Sequence, residues 1–173
     1  MPPPAEADAV LRYFERNRAH LEPWEPARPE GFYTEKFWAD RLTQNRQELA
    51  DGTAMRLFVV SRAVGPSHPD RVIGSCNFSN IVRGAFQSCT LGYGLDHRHV
   101  GQGLMEEALR AGIPMAFELF DLHRIQANYQ PTNERSGKLL RRLGFVVEGY
   151  ARDYLCIDGQ WRDHVLTSKL RGA

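Results

Sequence analysis

The order in which helical and strand-like segments follow one another is the feature that most restricts the fold of this chain. Apolar residues at helical spacing predict two helices near the start, around residues 10–14 and 37–49. Alternating apolar stretches separated by turn residues predict an antiparallel meander of three strands over residues 54–95. A helix to about Phe120, a strand over 124–129, a further helix and two final strands complete the order. This succession is typical of an α+β fold.

Turn and cap residues define the last third of the chain. Residues 146–157 and 161–170 are predicted to be strands, and the dipeptide Asp158-Gly159 stands between them. Asp-Gly between two such stretches favours a type I′ hairpin turn, because both central residues need positive φ. Gly144 follows a predicted helix over 134–143 and is placed where it would close that helix.

Composition limits the classes of protein. A chain of 173 residues with 42% hydrophobic residues is long enough for one well-buried core, so one domain over 1–173 is expected. The net charge of +1 argues against bulk attraction to nucleic acid or to anionic lipid, so neither a DNA nor a membrane partner is expected. The basic stretch "KLLRR" at 138–142 could still contact RNA, although its charges are first explained by the dipole at a helix C-terminus.

Cysteine usage and the absence of targeting signals indicate a cytoplasmic protein. Cys76, Cys89 and Cys156 are odd in number and lie in strand-like contexts, which suits buried thiols in a reducing compartment. The first ten residues lack the basic and apolar regions of a secretory leader, and no apolar stretch is long enough to cross a bilayer.

Two glycines precede the third predicted helix in "RHVGQGLMEEAL", residues 98–109. Gly101 and Gly103 leave the backbone bare where a helix N-terminus offers unpaired N–H groups and a positive dipole end, which favours a phosphate or pyrophosphate. The alternative is an ordinary tight turn. A dinucleotide site needs a third glycine, and a P-loop needs Lys-Ser/Thr after its second glycine, whereas Leu104 and Met105 follow here.

These residues resemble the acetyl-CoA signature of the GNAT N-acetyltransferases, R/Q-x-x-G-x-G/A. "LGYGLDHRHVGQGLMEEAL", "HRIQANYQPTNERSGKLLRRLGF" and "EGYARDYLCIDGQWRDHVLTSKL" are similar to the RimJ/RimL branch of that family, as are "NRAHLEPWEP" and "NFSNIVRGAF". The resemblance covers nearly the whole chain. It implies a GNAT fold, which is a mixed, mostly antiparallel central sheet flanked by helices, and it implies acetyl transfer from acetyl-CoA to the N-terminal amino group of a ribosomal protein. Ribosome association is a further expectation.

The resemblance also implies how the strand before the glycines behaves. That strand, 91–95, is expected to part from its neighbour at a bulge, and Gly92 and Gly94 suit a bulge. Relatives usually begin with a strand that pairs with the one at 57–60, and here that first strand is expected to be missing. The sheet would then have an exposed edge.

Site residues are carried over from the same resemblance. The residues expected to bind the co-substrate are Leu95, Arg98, Val100, Gly101, Gln102, Gly103, Leu104, Met105 and Asn133. Ser136 is expected to protonate the departing thiolate. Alternatively, Asn133 is a helix N-cap and Ser136 a first-turn residue, because both types are common at helix starts.

A base for the acceptor amine is the least defined part of the site. An α-amino group has a pKa near 8, so a strong base is optional. Glu148, Asp153, Asp163 and His164 lie near the last hairpin, and Asp153 is the candidate we rank first. His97, His99 and His123 show no metal-ligand spacing, so no metal is expected.

Acceptor specificity follows from the resemblance as well. It implies an N-terminal alanine, with the region of Trp24 and Tyr33 contributing to the peptide site, although aromatic residues there also suit packing. Two alternatives stay open: an acetyltransferase for a small amine, and a ribosome-associated assembly or regulatory factor.

Overall fold

Six strands and five helices make up the described part of the chain, residues 2–65 and 68–172 of a computed structural model. The strands are β1 (Met55–Val60), β2 (Val72–Val82), β3 (Ser88–Leu95), β4 (Arg124–Gln126), β5 (Val146–Ile157) and β6 (Gln160–Leu170). The helices are α1 (Ala7–Arg16), α2 (Arg18–Leu21), α3 (Glu35–Ala50), α4 (Leu104–Leu119) and α5 (Glu134–Arg142). Short 3₁₀ turns lie at Pro4–Glu6, Glu22–Trp24 and His97–His99. The α+β order predicted from the sequence is confirmed.

The strands form one sheet in the order β1-β2-β3-β4-β6-β5. All neighbours are antiparallel except β3 and β4, which are parallel because α4 connects them as a crossover helix. The sheet is therefore mixed and mostly antiparallel, as expected. Within the described residues β1 pairs with β2 alone, so β1 is one edge of the sheet and β5 is the other.

Cap and turn residues determine where several helices and strands begin and end. Thr34 Oγ1 accepts a hydrogen bond from Phe37 N at 3.2 Å and begins α3. Gly144 has a φ of 84° just after α5, which is the left-handed position that ends many helices. Asp158 and Gly159 have φ values of 46° and 73°, so the turn between β5 and β6 has the predicted I′ character.

Two hydrophobic clusters cover the two faces of the sheet. Leu57 and Val59 of β1 pack against the cluster formed with α4 and α5, whereas Phe58 between them packs against the cluster formed with α1 and α3. Because successive strand residues point to opposite faces, the clusters lie on opposite sides of β1. In the second cluster the rings of Phe14 and Trp38 stack with centroids 4.6 Å apart, which fixes α1 against α3.

Three expectations about local structure were wrong. The prolines at 23, 26 and 29 predict that the first helix stops before His20, but α2 and the following 3₁₀ turn continue the helical conformation to Trp24. The strand predicted over 124–129 is regular only to Gln126, because the chain beyond follows β6 and leaves β3. Cys76 and Cys89 are buried, but Cys156 is exposed, since it lies on the edge strand β5. No helix in the described ranges is long and apolar enough to span a membrane.

Candidate active site

An open cleft of about 1100 Å³ lies where β3 and β4 part. The two strands pair only from Ser88 to Thr90, so the second half of β3 has no partner strand on that side among the described residues. This half of β3 lines one side of the cleft, and Asn128, Tyr129 and Gln130 line the other. Residues 127–129 cannot return to β3 because their backbone groups bond to Val165 and Thr167 of β6.

The expected parting of the strands is present, but the expected bulge at Gly92 and Gly94 is not. Pairing between β2 and β3 is continuous along this stretch, and the irregularity lies between Ser79 and Val82 of β2. Gly94 serves packing instead, because a Cβ there would lie 3.2 Å from Tyr13 Oη and 3.3 Å from Leu21 Cδ2. A Cβ on Gly92 would meet nothing within 4 Å.

The glycine turn at the start of α4 leaves its backbone open to the cleft. Gly101 and Gly103 have φ values of 84° and 78°, which favour glycine, and a Cβ on either would meet nothing within 4 Å. Five predicted residues line the cleft here: Val100, Gly101, Gly103, Leu104 and Met105. The amides of residues 101–106 find no acceptor in the part of the chain that the structure describes. The turn therefore offers several N–H donors at the positive end of a helix.

Arg98 and Gln102 do not line the cleft. The Arg98 guanidinium donates to both carboxylate oxygens of Asp96, at 3.2 and 3.1 Å, and to Asp70 at 3.4 Å. Gln102 Nε2 donates to the Arg98 carbonyl at 3.1 Å. Both side chains therefore hold the turn in place, and the signature residue Arg98 acts on the cleft through the backbone that it anchors.

Asp96 is the buried centre of that anchor. It is fully buried, and its carboxylate accepts hydrogen bonds from Arg16 Nε at 2.6 Å and from Arg98 N at 2.9 Å. Burial raises the pKa of this carboxyl, but the hydrogen bonds from Arg98 and Arg16 outweigh burial and hold the pKa well below its usual range. Arg16 also donates to the Val72 carbonyl, so α1, β2 and the glycine turn meet at one ion cluster.

Helix α5 contributes positive charge to the cleft. Arg135, Lys138 and Arg142 line it. Lys138 bonds to Glu134 at 2.9 Å and Arg142 bonds to Glu106 at 2.7 Å, so these two charges are partly neutralised. The sequence indicated a dipole role or an RNA contact for the basic stretch 138–142, because nothing in its spacing shows that α5 borders the glycine turn.

Asn133 and Ser136 both line the cleft. Asn133 Oδ1 accepts from Ser136 N at 3.1 Å, so Asn133 is the N-cap of α5 that the alternative interpretation expected. Ser136 Oγ lies 2.7 Å from Tyr93 Oη. Burial raises the pKa of Tyr93 to about 12, so its phenol keeps its proton near neutral pH. With Tyr93 donating, the Ser136 hydroxyl hydrogen is free to point elsewhere.

Of the four candidate bases near the last hairpin, the structure brings only His164 to the cleft. Asp153 sits at an exposed irregularity of β5 with a φ of 46°, and its N–H donates to Asp163 Oδ1 at 2.9 Å. Asp163 also accepts from Tyr150 Oη at 2.5 Å. Glu148 accepts from Arg124 at 2.6 Å and from Ser168 at 2.7 Å. The location of Asp153 therefore does not support the catalytic role that we ranked first.

Residues 20–28 form a wall of the cleft that sequence reasoning did not foresee in detail. Trp24, Glu25 and Arg28 line it, whereas Tyr33 lines a neighbouring pocket of about 390 Å³. The Arg28 guanidinium pairs with Glu25 and lies 4.2 Å from the centroid of the Phe32 ring. The wall is joined to distant segments, because Gln130 Nε2 donates to the Pro23 carbonyl at 3.0 Å and Asp158 N donates to the Glu25 carbonyl at 3.2 Å.

The profile of the Acetyltransferase (GNAT) domain family matches residues 1–146, most of the chain. The chain belongs to the GNAT acetyltransferases. It is 48% identical over 165 residues to the [Ribosomal protein uS5]-alanine N-acetyltransferase of Escherichia coli K12, covering 94% of this chain and 81% of that relative. It is 33% identical over 159 residues to the probable N-acetyltransferase YjcK of Bacillus subtilis 168, covering 92% and 85%.

Solved structures extend the likeness to three dimensions. The ribosomal-protein-S5-alanine acetyltransferase from Vibrio fischeri superposes with a TM-score of 0.91 at 40% identity, covering 99% of this chain and 91% of that one. RimJ from Mycobacterium smegmatis, solved in complex with CoA-disulfide, gives a TM-score of 0.85 at 30% identity, covering 98% and 79%. The GNAT fold of this chain is therefore shared with solved acetyltransferases, one of which holds a CoA derivative.

The residues of this cleft fit a CoA molecule. Bare glycines at positive φ and the unpaired amides beside them suit a pyrophosphate. The unpartnered half of β3 offers backbone groups to a chain rich in amides, such as pantetheine. Basic side chains of α5 complement phosphate charge.

Proposed function

We propose that this enzyme transfers an acetyl group from acetyl-CoA to the α-amino group of a ribosomal protein that begins with alanine. The cleft between the parted strands, with the glycine turn at one end and Ser136 on its wall, carries the proposal. The identities to enzymes named for acetylating the alanine of uS5 or S5 support the choice of acceptor. An enzyme that acts on such an acceptor is expected to work in the cytoplasm, where ribosomal proteins are made.

Three groups of residues would hold the co-substrate. Amides of residues 100–105 bind the pyrophosphate, and Arg135 adds positive charge from α5. The free edge of β3 at 91–95 bonds the pantetheine arm, and Leu95 closes the end of that strand. Asn133 faces this arm while its side-chain oxygen caps α5. When bound, acetyl-CoA supplies a thioester carbonyl carbon and a thiolate leaving group.

Ser136 donates the proton that the leaving sulfur needs. Burial keeps the Tyr93 phenol protonated, and when its Oη donates to Ser136 Oγ, 2.7 Å away, the Ser136 hydrogen can be directed into the cleft. The bond from Ser136 N to Asn133 fixes the first turn of α5 and hence the position of the hydroxyl. A positioned acid of this kind contributes about 10²-fold or more to the rate.

The acceptor amine is selected partly by its own basicity. A substantial minority of α-amino groups is neutral at pH 7, since their pKa is near 8, whereas lysine with a pKa near 10.4 is almost fully protonated. A small first residue is favoured because the nitrogen must approach the thioester carbon to about 3 Å. The peptide would enter along the wall formed by Trp24, Glu25 and Arg28, which we name the peptide wall.

A peptide assay tests the proposed acceptor. The wild-type enzyme should release CoA thiol with a peptide that begins with alanine and is copied from a small-subunit ribosomal protein, and mass spectrometry should place the acetyl group on the α-amine. Controls are the same peptide blocked at its N-terminus and the small amine spermidine. Equal turnover of the blocked peptide, or much faster turnover of spermidine, would contradict a protein N-terminus as acceptor and favour a small amine.

A further inference from the structure

His164 of β6 is a titratable side chain of the cleft to which the proposed function gives no role. It is 4% exposed, and yet it lines the cleft. Two acids near the last hairpin already accept hydrogen bonds. Glu148 accepts from Arg124 and Ser168. Asp163 accepts from Tyr150 and from the amide of Asp153. A buried imidazole in a substrate cleft needs a chemical explanation.

One hydrogen bond fixes which imidazole nitrogen is basic. His164 Nδ1 lies 2.9 Å from the Arg162 carbonyl oxygen, which can only accept, so Nδ1 carries the hydrogen. In the neutral ring the lone pair is then on Nε2. Among the residues that the structure describes, none bonds to Nε2, and solvent still reaches that atom. The ring of this cleft-lining residue thus keeps an acceptor nitrogen that has no partner among the described residues.

The surroundings hold the ring at the opening between the strands. Val165, the next residue, pairs with Tyr129 through two backbone bonds of 3.2 and 2.8 Å, so His164 lies where the chain after β4 leaves β3. The Tyr154 ring of β5 has its centroid 5.6 Å from that of His164. Asn128 Nδ2 donates to Tyr154 Oη at 3.2 Å and thereby fixes the tyrosine.

We propose that Nε2 of His164 is the base that takes a proton from the α-ammonium group of the acceptor, an assignment that rests on the proposed function. The lone pair freed on the acceptor nitrogen forms the C–N bond as the C–S bond breaks. Ser136 gives its hydroxyl proton to the sulfur and regains a proton from the newly formed amide nitrogen. His164 releases the first proton to solvent, so one acetyl group is transferred and one proton leaves for each ammonium ion consumed.

The test compares His164→Asn with His123→Asn. The asparagine amide at 164 can keep the donor to the Arg162 carbonyl but has no basic nitrogen, whereas His123 is exposed and outside the cleft. At pH 7 we expect His164→Asn to lower kcat/KM for the alanine peptide by about 100-fold. CoA binding measured by calorimetry should be unchanged, and His123→Asn should match the wild type.

A pH series separates a base from a structural residue. Among the described residues, the Tyr154 ring of β5 lies against the His164 ring, and the charge of Asp163, the preceding residue of β6, interacts with it electrostatically. As pH rises past about 8, solution supplies the neutral amine, so the deficit of His164→Asn should shrink to within about tenfold at pH 9. A deficit of equal size at pH 7 and pH 9, or full activity at pH 7, would overturn the assignment.

A measurement on the wild-type protein tests the assignment even if His164→Asn does not fold. Nitrogen-15 spectra should show that the neutral form of the His164 ring carries its hydrogen on Nδ1. Hydrogen on Nε2 would contradict the assignment. If wild-type enzyme fails to acetylate the alanine peptide, the proposed function fails; if it succeeds while His164→Asn is equally active, only the role of His164 fails.

Discussion

The two ends of the cleft differ in how the chain builds them. The glycine turn at the start of α4 is made of consecutive residues, and its donors are backbone amides. The peptide wall and His164 come from segments far apart in the chain, and their groups are side chains. A backbone site tolerates side-chain variety but requires glycine, whereas a side-chain site depends on tertiary contacts. The two ends should therefore fail in different ways when they are mutated.

The largest effect is expected from Gly103→Val. A branched side chain there would enter open cleft space and force a φ of 78° on valine, so the amides could no longer approach a pyrophosphate. Loss of two charge-assisted hydrogen bonds corresponds to a weakening of CoA binding by about 100-fold or more. Isothermal calorimetry measures it.

Gly84→Val is the matched control for Gly103→Val. Gly84 has a φ of 72° in an exposed turn, and a Cβ there also meets nothing within 4 Å. Both variants should lose similar stability from backbone strain, of the order of 1–2 kcal/mol, but only Gly103→Val should lose CoA binding. Micromolar binding by a folded Gly103→Val protein would refute the pyrophosphate assignment.

Ser136→Ala should act on turnover and leave affinity intact. We expect kcat to fall by about 100-fold with little change in CoA binding, because in the proposed mechanism the hydroxyl donates a proton in the reaction step. Tyr93→Phe removes only the partner of that hydroxyl and should lower kcat by about fivefold. Normal turnover together with a lower melting temperature in Ser136→Ala would show that Ser136 is structural.

Asp96→Asn should loosen the glycine turn without touching the cleft. The variant loses the charge that holds Arg16 and Arg98, so we expect KM for acetyl-CoA to rise by about tenfold with kcat retained. Asp70→Asn is the control, since Asp70 is half-exposed and its contacts with Arg16 and Arg98 are 3.3 and 3.4 Å. Equal effects of the two variants would argue against Asp96 as the anchor.

The lowered pKa of Asp96 predicts that the stability difference between wild type and Asp96→Asn depends on pH in acid. A carboxyl whose pKa is depressed by folding stabilises the protein fully above its unfolded pKa of about 3.9, and that contribution is lost as pH falls toward the folded value. The difference in melting temperature between wild type and Asp96→Asn should therefore be constant near neutral pH and shrink below about pH 4.

The smallest effect is expected from Asp153→Asn. Asp153 lies outside the cleft, and asparagine tolerates its φ of 46°, so kcat should stay within about twofold of wild type. A large loss of kcat would return Asp153 to the list of candidate bases and would show that the hairpin reaches the substrate in the reacting complex.

Sequence reasoning succeeded where a feature depends on neighbouring residues. Helical periodicity, the Asp158-Gly159 turn, the Gly144 cap and the glycine pair are all local, and the structure has each of them. It failed where the outcome depends on competition between distant partners. Arg98 belongs to the family signature, but its guanidinium donates hydrogen bonds to the carboxylates of Asp96 and Asp70. His164 was one of four plausible bases until the pairing of β6 with the 127–129 stretch brought it to the cleft.

The hydrogen bond from Asp158 N to the Glu25 carbonyl links the first quarter of the chain to its last hairpin. During synthesis the glycine turn, β3 and α5 are made before that hairpin, because the chain is made from its N-terminus. The Glu25 carbonyl therefore gains its hydrogen-bond partner only after residue 158 has been made. The side of the cleft formed by residues 127–129 also waits for β6, whose residues Val165 and Thr167 bond to it.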